Sequence, residues 1–173
     1  GKSVSVHVDI AELRDSPHGN IGCSDCHFGF SAEEHPRRQF RNERQYYLAS
    51  SEICRRCHFD MYSKESEGIH SAMLSMGKLE APTCIDCHGG HAVSSLRENR
   101  LSVVQKCKTC HAEVYEVYAR SVHGSSLFKE NNKDVPICID CHSSHNIKSP
   151  SSSDFHDAIP DTCSECHSNA ALM

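Results

Sequence analysis

CSDCH at 23–27, CRRCH at 54–58, CIDCH at 84–88, CKTCH at 107–111, CIDCH at 138–142 and CSECH at 163–167 are six copies of one pattern in a chain of 173 residues. Cys-x-x-Cys-His is the attachment signature of a c-type haem: two thioethers fix the porphyrin edge and the adjoining imidazole takes one axial position on iron. On this reading Cys23 and Cys26, Cys54 and Cys57, Cys84 and Cys87, Cys107 and Cys110, Cys138 and Cys141, and Cys163 and Cys166 bind six covalent haems. His27, His58, His88, His111, His142 and His167 are then the proximal iron ligands.

Paired cysteines also serve zinc sites and redox disulfides. Histidine is 14 of 173 residues, so its recurrence after all six pairs has chance odds of roughly three in ten million. Zinc ribbons do not require that histidine, and neither does a disulfide framework.

Composition agrees with a core that is not made of side chains. Aromatics are 6%, there is no Trp, and the mean hydropathy is −0.53. Six haems in 173 residues leave about 29 residues for each, so the porphyrins must supply much of the apolar interior. The expected fold is a mostly irregular chain with short α-helices, haem-cored, with little or no β-sheet, forming a single domain over 1–173. The formal charge of −5, made more acidic by haem propionates, argues against nucleic acid and anionic membrane as partners. No run of eighteen apolar residues occurs, so no membrane span is expected in the chain. The numbering begins at Gly rather than Met, which reads as a mature, exported chain.

The histidines reveal internal repetition. Cys54, Cys57, His58, Tyr62 and His70 recur 53 residues later as Cys107, Cys110, His111, Tyr115 and His123, and CIDCHGGH recurs as CIDCHSSH 54 residues on. Each repeat is a lone histidine, a first motif, a second lone histidine and a second motif. Three such two-haem units span about 16–58, 70–111 and 123–167. Six motifs are thereby matched by six further histidines, His18, His35, His70, His91, His123 and His145, which are the candidate distal ligands. His7 and His156 fall outside the pattern. Met61, Met73, Met76 and Met173 do not recur with the repeat and read as gap fillers.

Chain geometry restricts the pairing. Two histidines on opposite faces of one haem have Cα atoms about 12 Å apart, whereas three Cα steps span at most about 11 Å. His91 therefore cannot share an iron with His88, nor His145 with His142. His18 precedes Cys23 by only five residues, so it is expected to serve an iron other than its nearest. Donation to a neighbouring protomer and donation within the chain are both open to it.

Between the motifs the sequence reads as brief helices. HAEVYEVYARSVHG places Val114, Val117 and Tyr118 on one face and is expected to stop at Gly124; HFDMYSKESEGIH is its counterpart. NERQYYLASSEICRRCH opens on Asn42 as an N-cap. SPSSSD at 149–154 reads as a flexible connection, and RRQFRNER at 37–44 as a basic stretch that is either solvated or paired with haem propionates.

The alternation of SPHG at 16–19, GIHS at 68–71 and SVHG at 121–124 with CIDCHGGH and CIDCHSSH resembles the multihaem c-type cytochromes of respiratory bacteria and archaea, over about residues 16–167. That resemblance implies export to the periplasm or beyond, electron transfer along closely spaced haems to redox partner proteins or extracellular acceptors, and in some members a filamentous homopolymer. Imidazole on both faces of each iron would make the haems low in potential and leave no open site. The competing class is a multihaem redox enzyme of the nitrite or hydroxylamine oxidoreductase type, with one open-face haem; the Cys-x-x-Cys-Lys motif of nitrite reductases is absent here.

Overall fold

The computed structural model describes residues 8–29, 39–94 and 99–168. His7, His35, Arg37, Arg38 and Met173 lie outside them. Short helices follow one another along the chain: α1 (Ile10–Asp15), α2 (Cys23–Cys26), α3 (Glu43–Ser51), α4 (Phe59–Ser66), α5 (Ile69–Ser75) and α6 (Cys84–His88). They continue as α7 (Arg100–Lys108), α8 (Ala112–Arg120), α9 (Val122–Lys129), α10 (Cys138–His142) and α11 (Ser153–His167). No strand occurs among the described residues.

Local chemistry sets these boundaries. Asn42 caps α3 as its type and place imply, its side chain accepting from the Gln45 N–H at 2.9 Å. Gly124, in contrast, is not a helix stop. Instead α8 ends at Arg120, and Ser121 starts α9 by accepting from the Gly124 N–H at 3.1 Å. A Cβ at 124 would collide with the Tyr118 carbonyl oxygen and come within 2.8 Å of Ala119 Cα. The glycine is needed for this close approach of backbone to backbone. The stretch 149–154 also departs from expectation, because its second half begins a helix. Ser152 accepts from the Phe155 N–H at 3.3 Å, and Asp154 sits in the first turn of α11, where a carboxylate favours the helix dipole.

The chain groups into two compact units. One comprises Gly1–Phe59 with Pro82–Ser95, the other Asp60–Ala81 with Leu96–Met173. Three Cys-x-x-Cys-His motifs fall in each, so the contact units cut across the second of the three sequence repeats.

In the first unit, α3 packs on α6. Its one buried residue among those described is polar: Ser51 Oγ lies 2.8 Å from Thr83 Oγ1 and 3.0 Å from the Tyr47 carbonyl oxygen. The second unit holds the buried apolar side chains, Val103 and Val104 of α7, Leu127 of α9 and Ile137 ahead of α10, with Tyr115, Tyr118 and Val135 against them. The four apolar side chains buried among the described residues cannot offset the ordering entropy of a chain this long. Meanwhile Val114 and Val117 of α8 are 64% exposed and Val122 of α9 is 85% exposed. The apolar surface is present, but polypeptide does not cover it.

Candidate haem-binding site

Each motif is held in a helical turn, which is why its cysteines face the same way. Residues three apart on a helix are neighbours on its surface. The turn closes on itself where the histidine N–H donates to the carbonyl of the first cysteine, as His27 does to Cys23 at 2.8 Å, His58 to Cys54 at 3.0 Å and His111 to Cys107 at 2.9 Å. His88 and His142 end α6 and α10, and His167 ends α11. None of the twelve cysteines is in a disulfide.

A carboxylate inside the motif supports several of these turns, a role that sequence reasoning had not assigned. Asp25 accepts from the Gly22 N–H at 3.0 Å, Asp86 from the Thr83 N–H at 2.7 Å, and Asp140 from the Ile137 N–H at 2.6 Å. In each unit an arginine then ties one such carboxylate to a neighbouring helix. Arg44 of α3 donates to both oxygens of Asp86 at 2.9 and 2.8 Å. Arg100 of α7 reaches Asp140 at 2.5 Å and the Val135 carbonyl at 3.0 Å. Burial raises the Asp86 pKa, but Arg44 and Thr83 outweigh it and hold the carboxyl below its usual range. The basic stretch at 37–44 thus supplies, through Arg44, a partner for a motif carboxylate. The signal was the acidic third position of CSDCH, CIDCH and CSECH, set against CRRCH and CKTCH.

The same packing brings cysteines of successive motifs together. Cys84 hydrogen-bonds Cys54, and Cys107 hydrogen-bonds Cys138; each bond brings the thiol of Cys54 and of Cys138 down to about 7.

The histidines meet in twos. Ring centres are 5.9 Å apart for His18 and His58, 5.9 Å for His27 and His91, 6.2 Å for His70 and His111, and 6.1 Å for His123 and His167. Every pair joins one motif histidine to one lone histidine of the repeat. Three of them obey a single rule: the first lone histidine of a repeat lies beside the second motif of that repeat. His18 is thus placed at a motif of its own chain, 40 residues on, which removes the support for its donation to a neighbouring copy.

The S-x-H-G elements aim these lone histidines. Ser16 Oγ accepts from the His18 N–H at 3.1 Å, and Ser121 caps the turn that carries His123. The following glycine lets that turn approach the preceding helix, at the Arg14 carbonyl for Gly19 and the Tyr118 carbonyl for Gly124. GIHS uses its glycine differently: a Cβ on Gly68 would stand 2.9 Å from the His145 carbonyl oxygen, and Ile69 N–H donates to the Ile147 carbonyl at 2.8 Å. Burial lowers the pKa of His70 and His142, with His111 adding to it, and lowers that of His145, with Lys64 adding to it. In all three the shift favours the neutral imidazole, the form that ligates metal.

The remaining candidates fall outside these pairs. His145 has its Nδ1 3.1 Å from Ser144 Oγ. His142 stacks on Phe155, with ring centres 5.0 Å apart and planes 5° from parallel. His156 has its Nε2 2.7 Å from the Pro150 carbonyl oxygen, so that nitrogen is a donor.

These residues fit a haem. A metal–imidazole bond of about 2.0 Å, with the ring centre about 1.1 Å beyond the nitrogen, separates two ring centres by roughly 6.2 Å. The four pairs span 5.9–6.2 Å. Among the described residues no group of three or more His, Cys, Asp or Glu converges as a metal site. Two protein ligands per iron is what a porphyrin leaves vacant. Arg100 Nε is buried without an acceptor among the described residues, a donor available to a propionate.

No helix among the described residues is long and apolar enough to cross a membrane. No curated protein and no solved structure matches the chain. The profile of the cytochrome c3 family matches residues 78–168, which hold the third to sixth motifs and four of the paired histidines. On the strength of that match over more than half its length, the chain belongs to the cytochrome c3 family of multihaem c-type cytochromes.

Proposed function

We propose that this chain is an exported carrier that holds six covalent c-type haems and passes electrons along them at low potential. Multihaem electron transfer follows from the family; the haem count, the ligation and the potential are our reading. The haem supplies the one-electron chemistry. The protein supplies two thioethers and two imidazoles for each, and a second imidazole in place of a thioether keeps the potential low.

The observation that carries this reading is the set of four ring pairs, each made of one motif histidine and one lone histidine at the spacing one iron requires. Contacts between successive motifs, Cys54 with Cys84 and Cys107 with Cys138, put neighbouring attachment sites side by side, which is the spacing an electron relay needs. Partners are redox proteins or extracellular acceptors in the periplasm or outside the cell, and assembly into a homopolymer would extend the same relay.

Denaturing mass spectrometry tests the count. Six haems add roughly 3.7 kDa to the polypeptide through the six motifs. Zinc or free thiols in place of that mass would end the reading. The enzyme alternative is favoured by one observation, the stacking of His142 on Phe155 rather than on a histidine among the described residues. It requires turnover of nitrite or hydroxylamine by the reduced or oxidised protein, and electron uptake without turnover excludes it.

A further inference from the structure

His142, the histidine of the fifth motif, meets a phenyl ring where four other motif histidines meet an imidazole. Its ring centre is 5.0 Å from that of Phe155, and the two planes are 5° from parallel. Parallel rings this close lie offset face to face, because two rings sharing a plane would collide at their edges first. Iron binds in the plane of an imidazole, along a nitrogen lone pair. A phenyl over the face of that imidazole therefore neither ligates the iron nor blocks it. What it opposes is rotation of the imidazole about the iron–nitrogen bond, since turning the ring would drive its edge into the phenyl. Among the described residues no group hydrogen-bonds the His142 ring, the contact that ordinarily fixes the orientation of a ligating histidine.

Phe155 is itself held from two sides. It stands in the first turn of α11, which packs on α10 and so on the fifth motif. Its N–H donates to Ser152 Oγ at 3.3 Å, and that hydroxyl donates in turn to the Ser149 carbonyl at 2.8 Å. His156 is set edge-on to the phenyl, with ring centres 6.3 Å apart and planes at 72°. The His156 Nε2 donates to the Pro150 carbonyl at 2.7 Å, which anchors that ring as well. The segment 149–154 thus supplies the cap and the carbonyls that hold both rings, and His156, which stands outside the repeat of candidate ligands, supports the ring that covers one.

Resting on the two-imidazole reading above, we infer that Phe155 is a positioning residue for the haem of Cys138, Cys141 and His142: its stack fixes the plane of the His142 imidazole, with His156 as its support. The consequence is electronic. In a low-spin ferric haem the planes of the axial imidazoles set which iron orbital carries the unpaired electron, and so the direction across the porphyrin along which that electron is exchanged. An imidazole free to turn would leave that direction undefined. Because α11 ends in the sixth motif, one helix fixes the ligand plane of the fifth haem and carries the attachment of the sixth.

The test is made on the oxidised holoprotein, with its six haems first counted by denaturing mass spectrometry. Haem methyl resonances in the proton NMR spectrum report the planes of the axial ligands, and Overhauser contacts to the Phe155 ring pick out the fifth haem. Phe155→Leu keeps an apolar side chain but removes the flat face, so the methyl resonances of that haem redistribute while those of the other five stay in place. Phe155→Tyr keeps the face and gives the wild-type pattern. His156→Ala removes only the support and produces a smaller change at the same haem. A merely structural role gives a different result: Phe155→Leu lowers thermal stability and leaves every methyl resonance where it was, which overturns the inference. So does a Phe155→Tyr spectrum altered as far as that of Phe155→Leu. Should Phe155→Leu fail to load six haems, His156→Ala decides, and an unchanged methyl pattern in that variant overturns the inference. A wild-type count below six, or a high-spin fifth haem in the wild type, counts instead against the two-imidazole reading itself.

Discussion

Gly124→Ala adds one carbon where the structure has no room for it. The new Cβ would meet the Tyr118 carbonyl oxygen, the Tyr118 carbonyl carbon at 2.7 Å and Ala119 Cα at 2.8 Å. All three obstacles are backbone of α8, so no side chain can swing away, and α9 must move off α8 by several tenths of an ångström or more. Overpacking of this kind costs about 1–3 kcal/mol, and a collision with backbone belongs at the upper end. Because α9 begins at Val122 and carries His123 in its first turn, the displacement falls on the 6.1 Å separation from His167. The expected result is a less stable holoprotein in which one haem of six turns high-spin and binds carbon monoxide. Gly77→Ala is the comparison. That glycine has φ of +81° with nothing within 4 Å of its Cβ position, so the substitution costs about 1 kcal/mol of backbone strain and leaves every haem low-spin. Gly124→Ala with unchanged haem spectra would refute the claim that this glycine sets the distal histidine.

Other outcomes follow from the same contacts. Arg44→Met removes an ion pair whose side chains are 25% and 32% exposed, so it should cost about 1 kcal/mol and lower the midpoint of thermal unfolding by about 2–4 °C, with six haems still attached. Arg100→Met should cost more, because it strips both Asp140 and the Val135 carbonyl of a donor; calorimetry of the two variants ranks them. Burial pushes Tyr118 up to about 12 while its hydroxyl donates to the Pro136 carbonyl at 2.9 Å. The folded state thus favours the neutral phenol, whose contribution is complete below pH 10 and is lost as the pH rises toward 12. Ultraviolet titration should show one tyrosine ionising late. Chain made without haem attachment should lack a cooperative thermal transition, since four apolar side chains are all that polypeptide buries among the described residues.

Much of this site could be read from the sequence because covalent attachment demands a fixed spacing. Two of the six motifs, each with the lone histidine that follows it, recur at 53 and 54 residues, and that periodicity marks His70, His91 and His123, which the structure then places beside motif histidines. Which histidine meets which could not be read, because pairing depends on how turns of α1, α5 and α9 pack, and only the three-residue spacing in CIDCHGGH and CIDCHSSH excludes anything beforehand. Gly124 was misread because a glycine after an amphipathic stretch has two physical uses, a stop and a close approach, and sequence does not separate them. α11 contains Pro160, which lacks an N–H and disfavours a helix interior. The helix nonetheless runs through it from the Ser152 cap to His167. Asp86 and Asp140 passed as spacer residues because their partners, Arg44 and Arg100, lie some forty residues away.

The most direct measurement is an experimental density map of the holoprotein that locates its irons. The account places one iron midway between His18 and His58, between His27 and His91, between His70 and His111, and between His123 and His167, about 3 Å from each ring centre given the 5.9–6.2 Å separations. Irons bound to the motif histidines but with these four lone histidines turned away, or fewer than six irons, would contradict it.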